Sequence, residues 1–344
     1  MIEARGITRT FPGRGGLLGR SPVRAVRGVD FTIPDSGAVT FIGESGCGKT
    51  TLGRILCGME DFDGGELVIG GQSMSSLRRR QRAPYFRRIQ MIHQDPYSAL
   101  NPTHTIETIL GSPLALRAGQ LGKGQDWIRS RRDELLELVG LDPGYVLPRY
   151  PHMLSGGMRQ RVVIARALTV DPEVLVADEA VSMIDVSLRL GILRLMRDLR
   201  ERLGVAVLFI THDVATARYI GSDGDMYVLY RGMVVEHGGT EAVINSPVHP
   251  YTQCLLAAIP VLRGLEEPGS DQLAPLGPLD EQTEPPGCLF EPRCPFAAAD
   301  CRSGVPPLVP LGASGHEHAC LYPQSRQVVA VPAGAGAAGT GGPA

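Results

Sequence analysis

The hydrophobic pattern along the first 245 positions alternates between two kinds of segment. Short apolar runs read as strands: FTI at 31–33, AVTFI at 38–42, ELVIGG at 66–71, IQMIH at 89–93, EVLVADE at 173–179, AVLFITHD at 206–213, MYVLY at 226–230 and MVVEHG at 233–238. Between several of them, apolar residues recur at helical spacing. Examples are a helix opening at Lys49, WIRSRRDELLELVGL at 127–141 within a helical stretch over 104–145, RQRVVIARAL at 159–168 and SLRLGILRLMRDLRERLG at 187–204. Repeated strand–helix alternation predicts an α/β fold with a mostly parallel sheet covered by helices. The glycine- and arginine-rich stretch at 12–24 reads as a flexible loop.

From about residue 246 the pattern fades, prolines multiply, and four of the seven cysteines fall between 288 and 320. This predicts a separate small appendage over 246–325. The last stretch, PAGAGAAGTGGPA at 332–344, is low-complexity and belongs to an expected disordered tail, 326–344.

Composition narrows the class. A chain of 344 residues with 43% hydrophobic and 20% charged residues can bury a sizeable core. Its formal net charge of -2 gives no reason to expect nucleic acid as the partner. Charges near the N-terminus argue against a secretory signal, and no apolar run approaches the roughly 20 residues needed to span a bilayer. Work at a membrane would therefore be done from its side. Cysteines without an export signal point to a reducing compartment, where clustered thiols suggest metal before disulfide.

GESGCGKTT at 43–51 lies between a strand and a helix and fits G-x-x-x-x-G-K-[ST]. The backbone of Gly43, Glu44, Ser45, Gly46, Cys47 and Gly48 would wrap a β-phosphate at a helix N-terminus. Lys49 would reach the β- and γ-phosphates, Thr50 would ligate Mg²⁺, and Thr51 completes the motif. VLVADE ends in two carboxylates: Asp178 suits Mg²⁺, and Glu179 could polarise the attacking water. A glycine-rich turn and an acidic strand end are each common alone. Together they define a P-loop NTPase, without separating kinases, motors and GTPases.

LSGGMRQR at 154–161 decides between these. Ser155 and the N–H groups of Gly156 and Gly157 form a second anion-binding helix start. A second phosphate site makes sense if it serves the ATP of another subunit, in a head-to-tail dimer. With GESGCGKTT and VLVADE, this stretch resembles the signature motif of ABC-type ATPases, with the other two matching the Walker A and Walker B motifs. The resemblance covers about 2–245 and implies an ABC nucleotide-binding domain with antiparallel and helical subdomains, the latter at about 95–165. It implies Mg-ATP hydrolysis, and it assigns Gln94 to sensing Mg²⁺ and the attacking water, His212 to the γ-phosphate and Asp185 to the dimer interface. Phe11 is a weaker match to the aromatic that stacks on adenine. Two departures stand out: Met158 where the family more often has Gln, and Ala180–Ile184 where it has Pro-Thr-Ser-Ala-Leu.

HPYTQCLLAAIP at 249–260, GCLFEPRCPFAAADC at 287–301 and HEHAC at 316–320 resemble the C-terminal region of oligopeptide/dipeptide importer ATPases. That resemblance implies two permease subunits, a second ATPase subunit, an extracytoplasmic peptide-binding protein reached indirectly, and a peripheral place on the cytoplasmic face of the cell membrane. Cys288, Cys294, Cys301 and Cys320 are spaced C-x5-C-x6-C-x18-C, unlike the short pairs of common zinc modules. Relatives in this subgroup imply a [4Fe–4S] cluster on them. Zinc on three cysteines plus His316 or His318, and a packed appendage with reduced thiols, remain open beside it. Cys254 is expected to lie buried in a helix. The arginines at 78–80, 82, 87 and 88 read as a solvated face. Competing classes are a soluble ABC ATPase of nucleic acid or ribosomes and a degenerate regulatory half. One P-loop, one signature and no heptad run weigh against the first, and intact Lys49, Asp178, Glu179 and His212 against the second.

Overall fold

The computed structural model describes residues 1–13, 22–257, 284–313 and 315–324. It divides into two compact units, Met1–Thr240 and Glu241–Ala344. The expected tail at 326–344 and most of the loop at 12–24 lie outside the described residues.

In the first unit, β1 (Ile2–Phe11) pairs antiparallel with β2 (Val23–Ile33). Next come β3 (Ala38–Ile42), α1 (Lys49–Leu56), β4 (Gly64–Ile69) and β5 (Gln72–Ser73). These give a four-stranded sheet ordered β2-β1-β4-β5. After it follow α2 (Arg79–Phe86), β6 (Ile89–Ile92), α3 (Pro96–Ala99), α4 (Ile106–Leu121), α5 (Gln125–Leu138), α6 (Pro143–Val146) and α7 (Gly156–Leu168). The unit closes through β7 (Val174–Asp178), α8 (Val186–Leu203), β8 (Ala206–Thr211), α9 (Val214–Gly221), β9 (Asp225–Tyr230) and β10 (Met233–Gly239). α10 (Thr240–Asn245), α11 (Pro250–Ala257), β11 (Val309–Pro310) and β12 (Glu317–His318) come after it.

The second sheet runs β10-β9-β3-β8-β7-β6 through the first unit. β3 pairs in parallel with β8 and β9, and β7 with β6 and β8. Every residue of β3, β7 and β8 is buried. Strands covered on both faces need continuous apolar runs rather than alternation, which is the pattern AVTFI, VLVA and AVLFI carry. A core through Leu110, Leu135, Leu136, Val162, Val163, Leu175 and Phe209 joins the helices over 106–168 to this sheet. Since β3, β7 and β8 are adjacent and parallel, the segments leaving their C-terminal ends, at 43–48, 179 and 212, emerge on one edge. That edge is where open α/β sheets hold ligands.

Several helices are absent from the apolar pattern, among them the four-residue α3, the six-residue α10, and α2 and α9. α2 forms inside the basic run and buries none of its residues, so no apolar stripe marks it. α9 follows THD directly, and its start is fixed by Asp213, which accepts from the Ala215 and Thr216 N–H groups. β2 begins at Val23, well before FTI and inside the last two positions of the expected 12–24 loop; its first half mixes arginines with Val23, Ala25 and Val26, of which Val26 alone is buried.

Candidate nucleotide site and cysteine pocket

The loop between β3 and α1 is held open by glycines where any side chain would collide. Gly43 has φ 152° and a Cβ there would strike the Leu229 carbonyl; Gly48 has φ 105° and would strike that of Ala25. Gly48 caps α1 with no side-chain bond, leaving the helix N–H groups for a ligand. Lys49 is 6% exposed and its Nζ donates to the carbonyls of Gly43 (2.7 Å) and Glu44 (2.8 Å). Its ammonium is thus drawn over the loop it is expected to serve. Cys47 Sγ lies 3.5 Å from Nζ, and its thiol is pushed up, first by burial.

Thr50 Oγ1 donates to Asp178 Oδ1 at 3.0 Å, which joins the end of β7 to the start of α1. These are two of the three expected Mg²⁺ partners, Gln94 being the third. Burial holds the Asp178 carboxyl above its ordinary value; the Thr50 hydrogen bond opposes this, the Glu179 charge adds to it, and Lys49 and Arg54 oppose it.

Glu179 sits at φ 51°, a left-handed conformation unusual for its type, with its N–H bonded to the Ile210 carbonyl at 2.9 Å. That bond fastens the first residue past β7 to β8, from whose end His212 projects. His212 Nδ1 and Glu179 Oε1 stand 2.7 Å apart, the carboxylate largely buried and the imidazole largely exposed. A carboxylate and an imidazole at this distance can share one proton, the arrangement that general acid–base chemistry uses. Nothing in the residue order VLVADE signals the φ of Glu179.

The other expected residues are placed as follows. Phe11 pairs with Val23, two residues from Ala25, whose carbonyl crowds Gly48; Arg9 covers its ring at 4.9 Å. Gln94 is exposed just past β6, and is not a partner of the Thr50–Asp178 pair. Ser155 caps α7 by accepting from the Met158 N–H at 3.3 Å, and Gly157 is packed close to Leu188. α7 is anchored behind its tip by Arg159, which donates to the Pro151 carbonyl and lies over Tyr97 at 4.0 Å. Asp185 is exposed at the start of α8 with no side-chain cap bond, two residues after an exposed Met183.

In the second unit all four expected cysteines line one small, tightly packed cavity of about 10 Å³, with His249, Phe290 and Tyr322 among the other walls. Cys288 N–H bonds the Cys301 carbonyl at 2.8 Å, pinning two of the cysteines to each other's backbone. Burial raises the Cys288 thiol and pushes Cys294 up to about 12, while backbone N–H groups of Phe290 and Glu291 point at the first sulfur and that of Phe296 at the second. Among the described residues, no three Cys, His, Asp or Glu side chains converge on a single-ion position. His316 and His318 are buried but do not line the cavity, and His318 Nδ1 accepts from the Cys320 N–H at 3.4 Å. The zinc set of three cysteines plus one of these histidines is not brought together. His249 is a wall residue that the cysteine spacing does not point to, although HPYT carried the signal. Cys254 lies buried in α11.

The profile of the ABC transporter family matches residues 26–182, and that of the oligopeptide/dipeptide transporter C-terminal region matches 235–301. A probable peptide ABC transporter ATP-binding protein of Sinorhizobium fredii is 40% identical over 90% of this chain and 87% of its own. A di/tripeptide transport ATP-binding protein of Pseudomonas aeruginosa is 38% identical over 90% and 94%. Among solved structures, a dimeric ATP-binding cassette in a post-hydrolysis state with ADP and Pi aligns at TM-score 0.60 and 26% identity, covering 70% of this chain and 99% of that one.

Proposed function

The chain belongs to the peptide ABC transporter ATP-binding proteins, and on that premise we propose that it powers uptake of di- and oligopeptides through separate permease subunits. The chain is an ATPase that uses ATP and Mg²⁺. The observation that carries the reading of its site is the pairing of Glu179 with His212 beside the Thr50–Asp178 bond. In this reading Lys49 and the 43–48 loop hold the phosphates and Thr50 and Asp178 hold Mg²⁺. Glu179 orients and deprotonates the attacking water, His212 steadies Glu179 and the γ-phosphate, and Gln94 approaches the metal when nucleotide is bound. Phe11 stacks on the base. Ser155, Gly156, Gly157 and Asp185 face the nucleotide of a second ATPase subunit, so that hydrolysis opens and closes a head-to-tail pair. The chain then sits on the cytoplasmic face of the membrane; no helix among the described residues is long and apolar enough to cross it. An extracytoplasmic binding protein supplies the peptide.

The cysteine pocket fits a [4Fe–4S] group better than one ion. Four thiols line one cavity instead of meeting at a single-ion point, the kind of all-cysteine donor set such a group takes. Bound there, the group would staple an irregular unit; Cys288, Cys294, Cys301 and Cys320 would hold it.

The test is reconstitution with the cognate permeases and binding protein in vesicles. ATP-dependent accumulation of labelled di- or oligopeptide is expected. Peptide-independent partition of the chain to ribosomes, with no ATP-driven uptake, would overturn the reading.

A further inference from the structure

The HPYT segment has no part in nucleotide chemistry, yet it is among the most buried stretches of the second unit. His249 is 2% exposed, and Tyr251, Thr252 and Gln253 are each at 0%. Burying polar groups this deeply is costly unless they are hydrogen-bonded, and here His249 Nδ1 and Gln253 Nε2 are, while Thr252 Oγ1 and Gln253 Oε1 are not among the described residues.

The His249 ring spans two pieces of chain. Its Nδ1 accepts from the Tyr251 N–H at 3.0 Å, at the start of α11. Nδ1 is therefore the unprotonated nitrogen, and the ring N–H is left to donate to the Ala319 backbone carbonyl, one residue before Cys320. Two further bonds run the same way. Gln324 N–H donates to the Val248 carbonyl at 2.9 Å, and Gln253 Nε2 donates to the Gln324 carbonyl at 2.6 Å. The strand of chain carrying Cys320 is thus laid across residues 248–253. The same residues hold the other side of the pocket. Phe290, which lies between Cys288 and Cys294, packs against His249 at 5.9 Å and edge-on against Tyr251 at 5.5 Å.

We propose that His249 is the positioning residue of the cysteine pocket, joining the Cys320 segment by hydrogen bond and the Cys288–Cys294 segment by ring packing to the start of α11. Both ring nitrogens are occupied by backbone, so His249 holds the wall of the pocket without being a ligand in it. The metal content expected below rests on the cluster reading above; the placement of Cys320 does not.

The variant His249→Phe keeps ring volume and the Phe290 contact while deleting both hydrogen bonds. Full-length protein is purified anaerobically, analysed for iron, sulfide and zinc, then stripped of metal. Iodoacetamide labelling of Cys320 and Cys254 is followed by peptide mass spectrometry. Loss of two buried hydrogen bonds is expected to speed Cys320 labelling about tenfold or more and to reduce retained metal, with Cys254 still protected. Wild-type rates at Cys320 overturn the inference, whatever the metal content. A wild-type protein without metal overturns the cluster reading only, and the labelling rates still decide this one. Should His249→Phe also expose Cys254, and so have lost the unit, His249→Asn replaces it: this keeps the acceptor for Tyr251 and removes only the reach to Ala319. The same two labelling results then decide.

Discussion

Residues 43–50 and residues 288–320 each carry a run of candidate ligand-binding groups, but the two runs are held in different ways. The first stretch hangs between a buried parallel strand and a helix, and its partners Asp178, Glu179 and His212 come from the ends of neighbouring strands. Sheet register brings them together, and the side-chain bonds there, Thr50 to Asp178 and His212 to Glu179, are between the expected site residues themselves. Among its described residues, the second stretch has short 3₁₀ turns and a two-residue strand pair around its cysteines. There, position comes from individual bonds: Cys288 to Cys301, His249 to the chain before Cys320, Gln253 to Gln324. A site carried by a sheet should tolerate loss of a neighbouring side chain and fail when its own reacting group or backbone conformation is changed. A site carried by single bonds should fail at its supports as well.

The largest expected effect is at Asp178. Asp178→Asn removes a charge opposite Mg²⁺ and should lower Mg-dependent turnover by about 10²-fold or more, measured by phosphate release. Next is Gly48→Ala, which forces a Cβ onto the Ala25 carbonyl at φ 105°. ATP affinity should fall about tenfold or more, in a chain whose melting shows it still folded. Unchanged affinity would mean that the loop backbone does not cradle phosphate. In the other region, Cys301→Ser should empty the pocket of metal and lower the melting temperature of the second unit, while the ATP dissociation constant stays within about twofold. A matching loss of ATP binding would end the contrast between a self-sufficient sheet site and a separately supported pocket.

A smaller effect follows from pH. Burial raises the Asp178 carboxyl, so it takes up a proton at a higher pH than an ordinary aspartate would. A proton there competes with Mg²⁺. The Mg²⁺ concentration for half-maximal turnover should therefore climb as pH falls toward that raised value, and Asp178→Asn should flatten the dependence. A wild-type Mg²⁺ requirement constant over the same range would remove Asp178 from the metal.

The same contrast governs how much of each region is legible in residue order. β3, β7 and β8 are covered on both faces and so carry unbroken apolar runs, which mark their ends and the residues beyond them. Lys49, Thr50, Asp178, Glu179 and His212 stand at those ends, so chain order suffices to find them. The Glu179 φ and the Lys49 bonds to its own loop are products of tertiary packing and leave no trace in residue order. α2 escapes an apolar pattern because it buries nothing, and α9 because its buried face, Val214, Ala217 and Ile220, is only two turns long. In the second unit the cysteines are visible as residue types. The supporting role of His249 is not, since it depends on a carbonyl seventy residues further along the chain.

The central claim is that Glu179, held by Ile210 and paired with His212, performs the hydrolytic step. Glu179→Gln preserves shape and a hydrogen bond to His212 but cannot take a proton. Steady-state Mg-ATP turnover should fall at least about 10²-fold, and the nucleotide recovered from the protein should be intact ATP. Wild-type turnover in this variant, with ADP as the bound nucleotide, would contradict the account.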